Sequence, residues 1–130
     1  MRNNNPLNIR IGNDWRGEMK HGTDRQFEQF TSMMWGCRAG FIILRRYIQQ
    51  HGCNTVEKNI RRWAPETEND TKAYINNVCR LSGLKRDELL TFENSQAMIS
   101  LFKAMVQVEN GCSISPTDIQ MGYQAATNKQ

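Results

Sequence analysis

Apolar positions alternate with polar ones only near the start of the chain; from about residue 32 onward they recur at the three- and four-residue spacing of buried helical faces. Residues 2–10 are crowded with asparagine and contain Pro6, a composition of structured turns and not of helix starts. Residues 9–11 and 26–30 read as short extended segments joined through Asp14, Trp15, Arg16 and Gly17, which predicts a small β-hairpin. Over 32–50, Met34, Cys37, Phe41, Leu44 and Ile48 form a stripe widened by Trp35 and Ile42, and Gly52 marks its stop. Gly36 and Gly40 inside that helix imply close approach by a neighbouring element. Asn54 or Thr55 caps a second helix through Val56, Ile60 and Trp63, ended by Pro65. After a polar linker over 66–71, a third helix turns Tyr74, Ile75, Val78 and Cys79 inward and closes at Ser82 and Gly83. Residues 85–90 are expected to form a short helical turn.

The most regular stripe follows. Met98, Leu101, Phe102, Met105 and Val108 face one way on a helix capped by Asn94 or Ser95 and closed by Gly111. Glu109 falls on its last turn, four residues after Met105, so its carboxylate is expected at the edge of the core and not in bulk water. Ser115 and Pro116 then open a final short helix through Met121 and Ala125, and the polar tail over 127–130 is expected to fray. The pattern describes one domain over 1–130 of mainly α (α+β) class, with about six helices and a small β-hairpin.

Composition removes several functions. No apolar run approaches the ~20 residues of a membrane span, and the first residues lack the apolar core of a secretion signal. The four cysteines, Cys37, Cys53, Cys79 and Cys112, stand singly, without the paired spacing of zinc or redox sites, and are expected to be free thiols. No metal site and no cofactor is expected. A formal net charge of +4 favours an anionic partner, but no nucleic-acid-binding motif accompanies it, and Arg45, Arg46, Arg61 and Arg62 read most simply as solvated helix faces. A monomer that neither enters the membrane nor binds nucleic acid is the expectation.

The remaining chemical material is carboxylates, amides and aromatics, because only His21 and His51 are available and nucleophile-elbow, phosphate-loop and zinc-protease motifs are absent. Glycoside hydrolases build their sites from such groups: an acid protonates the leaving oxygen while polar and aromatic side chains hold sugar rings. Glu109 is the best-placed acid, although a glutamate at a helix end is more often simply solvated.

A set of motifs in matching order over 2–111 changes that balance. They are residues 2–10, the Trp15-Arg16-Gly17 segment, Phe27 with Phe30, residues 63–74, and Glu109-Asn110-Gly111. In this order the chain resembles a family of small phage and prophage lysozyme-like proteins, which read Arg-Asn-Asn-Asn-Pro-Gly-Asn-Ile-Arg near the start and Glu-Asn-Gly near the end. Lysozyme-like transglycosylases and bacterial glucosaminidases carry similar pieces, with the catalytic Glu helix preceding an Asn-rich segment. Here the pieces stand end for end, so the resemblance implies a circularly permuted lysozyme-like domain, with residues 5–8 beside Glu109 despite their distance in sequence.

The same resemblance implies that Glu109 is the general acid for cleavage of peptidoglycan glycan, by a glycoside hydrolase or a lytic transglycosylase route. Glu18, Asp24 and Glu68 are candidates for a second carboxylate, and nothing in the sequence chooses among them. Tyr74 is either a site hydroxyl or a core ring with a wet tip. Asn5, Asn8, Arg10, Trp15 and Trp63 are the candidates for substrate binding; Trp63 also completes the apolar stripe of its helix, the asparagines also suit turns, and Arg10 could pair with a carboxylate. Leu7 stands where the family has Gly, and Val108 where His is frequent. The expected partners are bacterial cell-wall glycan and other phage virion proteins, with synthesis in the bacterial cytoplasm and access to the wall from a virion or through a holin-type pore. The alternative is a non-catalytic virion or secretion-associated module that binds cell-wall glycan on the same fold.

Overall fold

The computed structural model describes residues 2–128. A tight 3-10 turn at Arg2–Asn4 precedes five helices: α1 (Met33–Gln50), α2 (Val56–Trp63), α3 (Thr71–Ser82), α4 (Ser95–Asn110) and α5 (Pro116–Thr127). Side-chain caps set several starts. Thr55 accepts a hydrogen bond from the Lys58 amide, Asp70 from Ala73 and Asn94 from Ala97, each satisfying an otherwise orphaned helix N–H. Gly111 closes α4 in the left-handed region at φ 73°. The mainly helical class expected from the periodicity is what the chain adopts.

The core lies between α1, α4 and α5. Met98, Leu101, Phe102 and Met105 are fully buried, as their spacing predicts; burial of such side chains is worth roughly 1.5–3 kcal/mol each. Phe102 stacks on Phe41 of α1 with ring centroids 4.1 Å apart, and Tyr123 of α5 meets Phe41 edge-on at 5.3 Å. The Tyr123 hydroxyl donates to the Phe92 carbonyl at 2.6 Å, which ties the α3–α4 connection to α5. All four cysteines are free thiols, and burial pushes that of Cys37 up to about 12.

The N-terminal segment lies against α1 where Gly36 and Gly40 leave room. A Cβ on Gly36 would sit 1.9 Å from the Asn4 carbonyl oxygen, and one on Gly40 would sit 2.7 Å from the Phe102 ring and 3.0 Å from the Leu7 side chain. The neighbour implied by Gly36 is therefore the start of the chain itself, and Gly40 makes room for both Leu7 of that segment and Phe102 of α4. Its asparagines serve the backbone: Asn3, Asn4 and Asn8 hold φ of 67°, 52° and 55°, a region that Asn tolerates better than other non-glycine residues.

Two expectations need revision. The hairpin is present only as isolated antiparallel bridges, Arg10 with Phe27 and Glu18 with Phe30, and no named strand occurs among the described residues. Side chains interrupt the ladder: the Asp24 carboxylate accepts from the Gln26 and Phe27 amides, and the Gln29 amide oxygen accepts from Thr23 and Asp24. Residues 85–90 form one hydrogen-bonded turn, the Glu88 amide donating to the Lys85 carbonyl, but do not continue into a helix, because the Leu90 and Val56 amides bond the Asn54 and Glu88 carbonyls and lay this segment against the start of α2. Of the polar tail expected to fray, Thr127 closes α5, and residues 129–130 lie outside the described residues. No helix among the described residues is long and apolar enough to cross a membrane.

Candidate functional site

Glu109 is half-buried on the last turn of α4, and both its carboxylate oxygens are engaged. Oε1 accepts from Asn8 Nδ2 at 3.0 Å. Oε2 accepts from the Tyr74 hydroxyl at 2.9 Å and from Trp63 Nε1 at 3.2 Å. The donors come from three other parts of the chain: the N-terminal turn, the last residue of α2 and the first turn of α3.

Each donor is locally fixed. Asn110, the residue after the acid, donates from Nδ2 to the Pro6 carbonyl at 2.8 Å and to Val106 at 3.0 Å, clamping the N-terminal segment to the end of α4. The left-handed backbone of Asn8 then presents its amide to Glu109. The buried Thr71 hydroxyl donates to the Ala64 carbonyl and closes the corner between α2 and α3, so Trp63 and Tyr74 keep a fixed separation. Burial, and secondarily the Glu109 charge, push the Tyr74 hydroxyl well above its ordinary range. Tyr74 is thus a neutral phenol that donates to the acid from its buried side.

On its open side Glu109 faces a groove of about 390 Å³ lined by Leu7, Asn8, Arg10, Phe27, Trp63, Pro65, Glu68 and Asn69. Of the sequence candidates, the structure brings Asn8, Arg10, Trp63 and Glu68 into this groove, with Tyr74 behind it. Glu68 is exposed on the α2–α3 connection and is the second carboxylate of the lining. Among the described residues Arg10 makes no ion pair; its guanidinium lies over the Phe27 ring, 5.3 Å from the centroid.

Four other candidates lie elsewhere. Asn5 is buried, with its amide nitrogen bonded to the Ile9 and Glu28 carbonyls and its oxygen accepting from the Ile9 amide, so it shapes the turn and has no group left for a ligand. Trp15 is buried and lines a different cleft, beside α1. Glu18 accepts from the Trp15 amide at 2.7 Å and closes its own turn. Asp24, held at about 2 by the Gln26 amide, the Asn3 side chain and the Phe27 amide, also serves its loop. Leu7 places its side chain in the core without needing a positive φ, and Val108 packs against the core, so neither departure displaces a donor to Glu109. Phe27, Pro65 and Asn69 line the groove too; all three stand within the motifs quoted from the sequence but were not among the candidate site residues, and their membership of those motifs was the signal that could have placed them.

No family model matches the chain. It is 43% identical over 129 residues to protein P5 of Pseudoalteromonas phage PM2, a similarity spanning 95% of this chain and 79% of that protein.

Proposed function

The chain belongs to the family of protein P5 of Pseudoalteromonas phage PM2, and from the geometry at Glu109 we propose that it cleaves the glycan of peptidoglycan for a phage or prophage, with Glu109 as general acid. The observation that carries this reading is the half-buried Glu109 carboxylate at the wall of a groove, held by Asn8, Trp63 and Tyr74. Protonated Glu109 donates to the glycosidic oxygen as the bond to the neighbouring sugar carbon breaks. The carboxylate left behind meets three donors already in place, so its charge develops without reorganisation. Trp63 and Phe27 offer ring surface for sugar faces, while Asn69, Arg10 and Glu68 offer polar contacts. Glu68 is the candidate for positioning water or the substrate's own nucleophile.

The lysozyme-like fold, in permuted order, belongs to the same proposal. A permuted domain requires the Asn-rich segment and the Glu helix to be neighbours, and Asn8 and Glu109, 101 residues apart, are bonded directly. Delivery from a virion or through a holin-type pore completes the reading.

The test is clearing of purified peptidoglycan sacculi, with released fragments identified by mass. Wild type should clear them, and Glu109→Gln should be slower by about 10²–10⁴, the usual worth of a general acid. Equal clearing by the variant would remove Glu109 from this role. Sacculus binding without clearing by wild type would establish the wall-binding module in place of the enzyme.

A further inference from the structure

A second cleft, of about 410 Å³, opens beside α1 and shares no lining residue with the groove at Glu109. Its walls include Arg16, Arg38, Arg45 and Arg46 against a single carboxylate, Asp14. Among the described residues, Arg16, Arg45 and Arg46 form no ion pair, whereas Arg2, Arg61 and Arg86 do. The charges are crowded: desolvation and the neighbouring Arg16 and Arg46 push the Arg38 guanidinium below its usual value.

The arginines are also pre-positioned. Arg46 lies over the Trp15 ring at 5.3 Å and Arg16 over the Trp35 ring at 5.5 Å, cation–π contacts that hold each guanidinium near the cleft wall. Arg45 is steadied through Nε to Gln49 at 3.2 Å and through Nη1 to the Ala126 carbonyl at 3.0 Å. Trp15, itself one wall of the cleft, is 6% exposed, and its indole N–H has no acceptor among the described residues.

We propose that this cleft binds a phosphate-class anion, held by the guanidinium groups of Arg16 and Arg46 together with the Nη2 of Arg45 that Gln49 and Ala126 leave free. A lone carboxylate matches one guanidinium fork, whereas a phosphate group carries enough oxygens to engage several at once. The cleft's volume admits a phosphorylated small molecule or the headgroup of an anionic phospholipid. Both present the same chemistry, and the site is independent of whether Glu109 is catalytic.

Full-length protein should be titrated calorimetrically with inorganic phosphate and pyrophosphate against chloride at matched ionic strength, and floated with phosphatidylglycerol and phosphatidylcholine vesicles. Arg16→Gln and Arg46→Gln alter exposed side chains and should leave the fold intact, as melts by circular dichroism will verify. Each should weaken binding about tenfold or more, the worth of a lost charge-assisted contact, while Glu109→Gln should not change it. Binding of free phosphate without vesicle flotation assigns a small ligand; flotation with phosphatidylglycerol that both variants lose assigns a lipid headgroup. No response beyond chloride in either arm, or a response unchanged in both variants, overturns the proposal. So does variant-sensitive binding of an oligonucleotide alone, which would assign the arginines to a nucleic-acid backbone.

Discussion

Replacing Tyr74 by Phe removes one hydroxyl from the buried side of Glu109 and leaves the ring packing in place. That hydroxyl donates to Oε2 at 2.9 Å, a bond worth about 0.5–1.5 kcal/mol to a neutral acceptor and about 1.5–3 kcal/mol to a charged one. Two features lower the figure here: Trp63 still donates to the same oxygen at 3.2 Å, and the half-buried carboxylate is open to water from the groove. A loss of about 1–2 kcal/mol at pH 7 follows, equivalent to roughly 3–8 °C in Tm for a chain of this size. A double-mutant cycle with Glu109→Ala, measured by urea unfolding, removes the acceptor as well as the donor and should return a coupling of about 1 kcal/mol. The pH dependence has a defined sign. The folded Tyr74 hydroxyl titrates above its ordinary value of 10.0, so its stabilisation is complete below pH 10 and is lost as pH rises further. Wild type should therefore lose stability above pH 10 more steeply than Tyr74→Phe, with Tyr47 and Tyr123, also shifted upward by burial, contributing equally to both. A coupling under about 0.3 kcal/mol, within the error of additivity, would refute the hydrogen-bonded Tyr74–Glu109 unit.

Other outcomes follow from the same geometry. Asn8→Gly keeps the left-handed backbone and loses only the bond to Glu109, whereas Asn8→Ala also strains a φ of 55°; urea unfolding should find the alanine variant less stable by about 1 kcal/mol. Gly36→Ala places a methyl group 1.9 Å from the Asn4 carbonyl oxygen, and must push the N-terminal segment off α1. It should cost 2 kcal/mol or about that, and hydrogen exchange should rise at the Ile9 and Phe30 amides, which bond Asn5 and Asn3. Asp24 titrates near 2 in the folded state against 3.8 otherwise, so its contribution is present above pH 3.8 and lost as pH falls toward 2; acid melts of Asp24→Asn should be flatter over that interval than those of wild type.

The helices were legible because their determinants are local. Thr55, Asn94, Gly83, Gly111 and Pro116 end or begin them where cap chemistry says they should, and the stripe of Met98, Leu101, Phe102 and Met105 is fully buried. The acid on the last turn of α4 was legible for the same reason. The failures share an opposite cause. Residues 85–90 were drawn into extended pairing by the start of α2, and Asn5 and Trp15, polar or aromatic residues suited to ligands, were drawn into the interior by contacts that local spacing does not encode.

Periodicity and caps determined, from the sequence alone, that this chain is mainly helical and that Glu109 closes its most apolar helix. Only the tertiary structure decided what surrounds that carboxylate. Asn8, Trp63 and Tyr74 lie 101, 46 and 35 residues from it, and their convergence depends on the Asn110 clamp to Pro6, the Thr71 corner at Ala64 and the glycine face of α1. Side-chain spacing along a helix records which face is buried; which distant donors meet at its end is fixed by packing and buried hydrogen bonds, which form only once the chain has closed on itself.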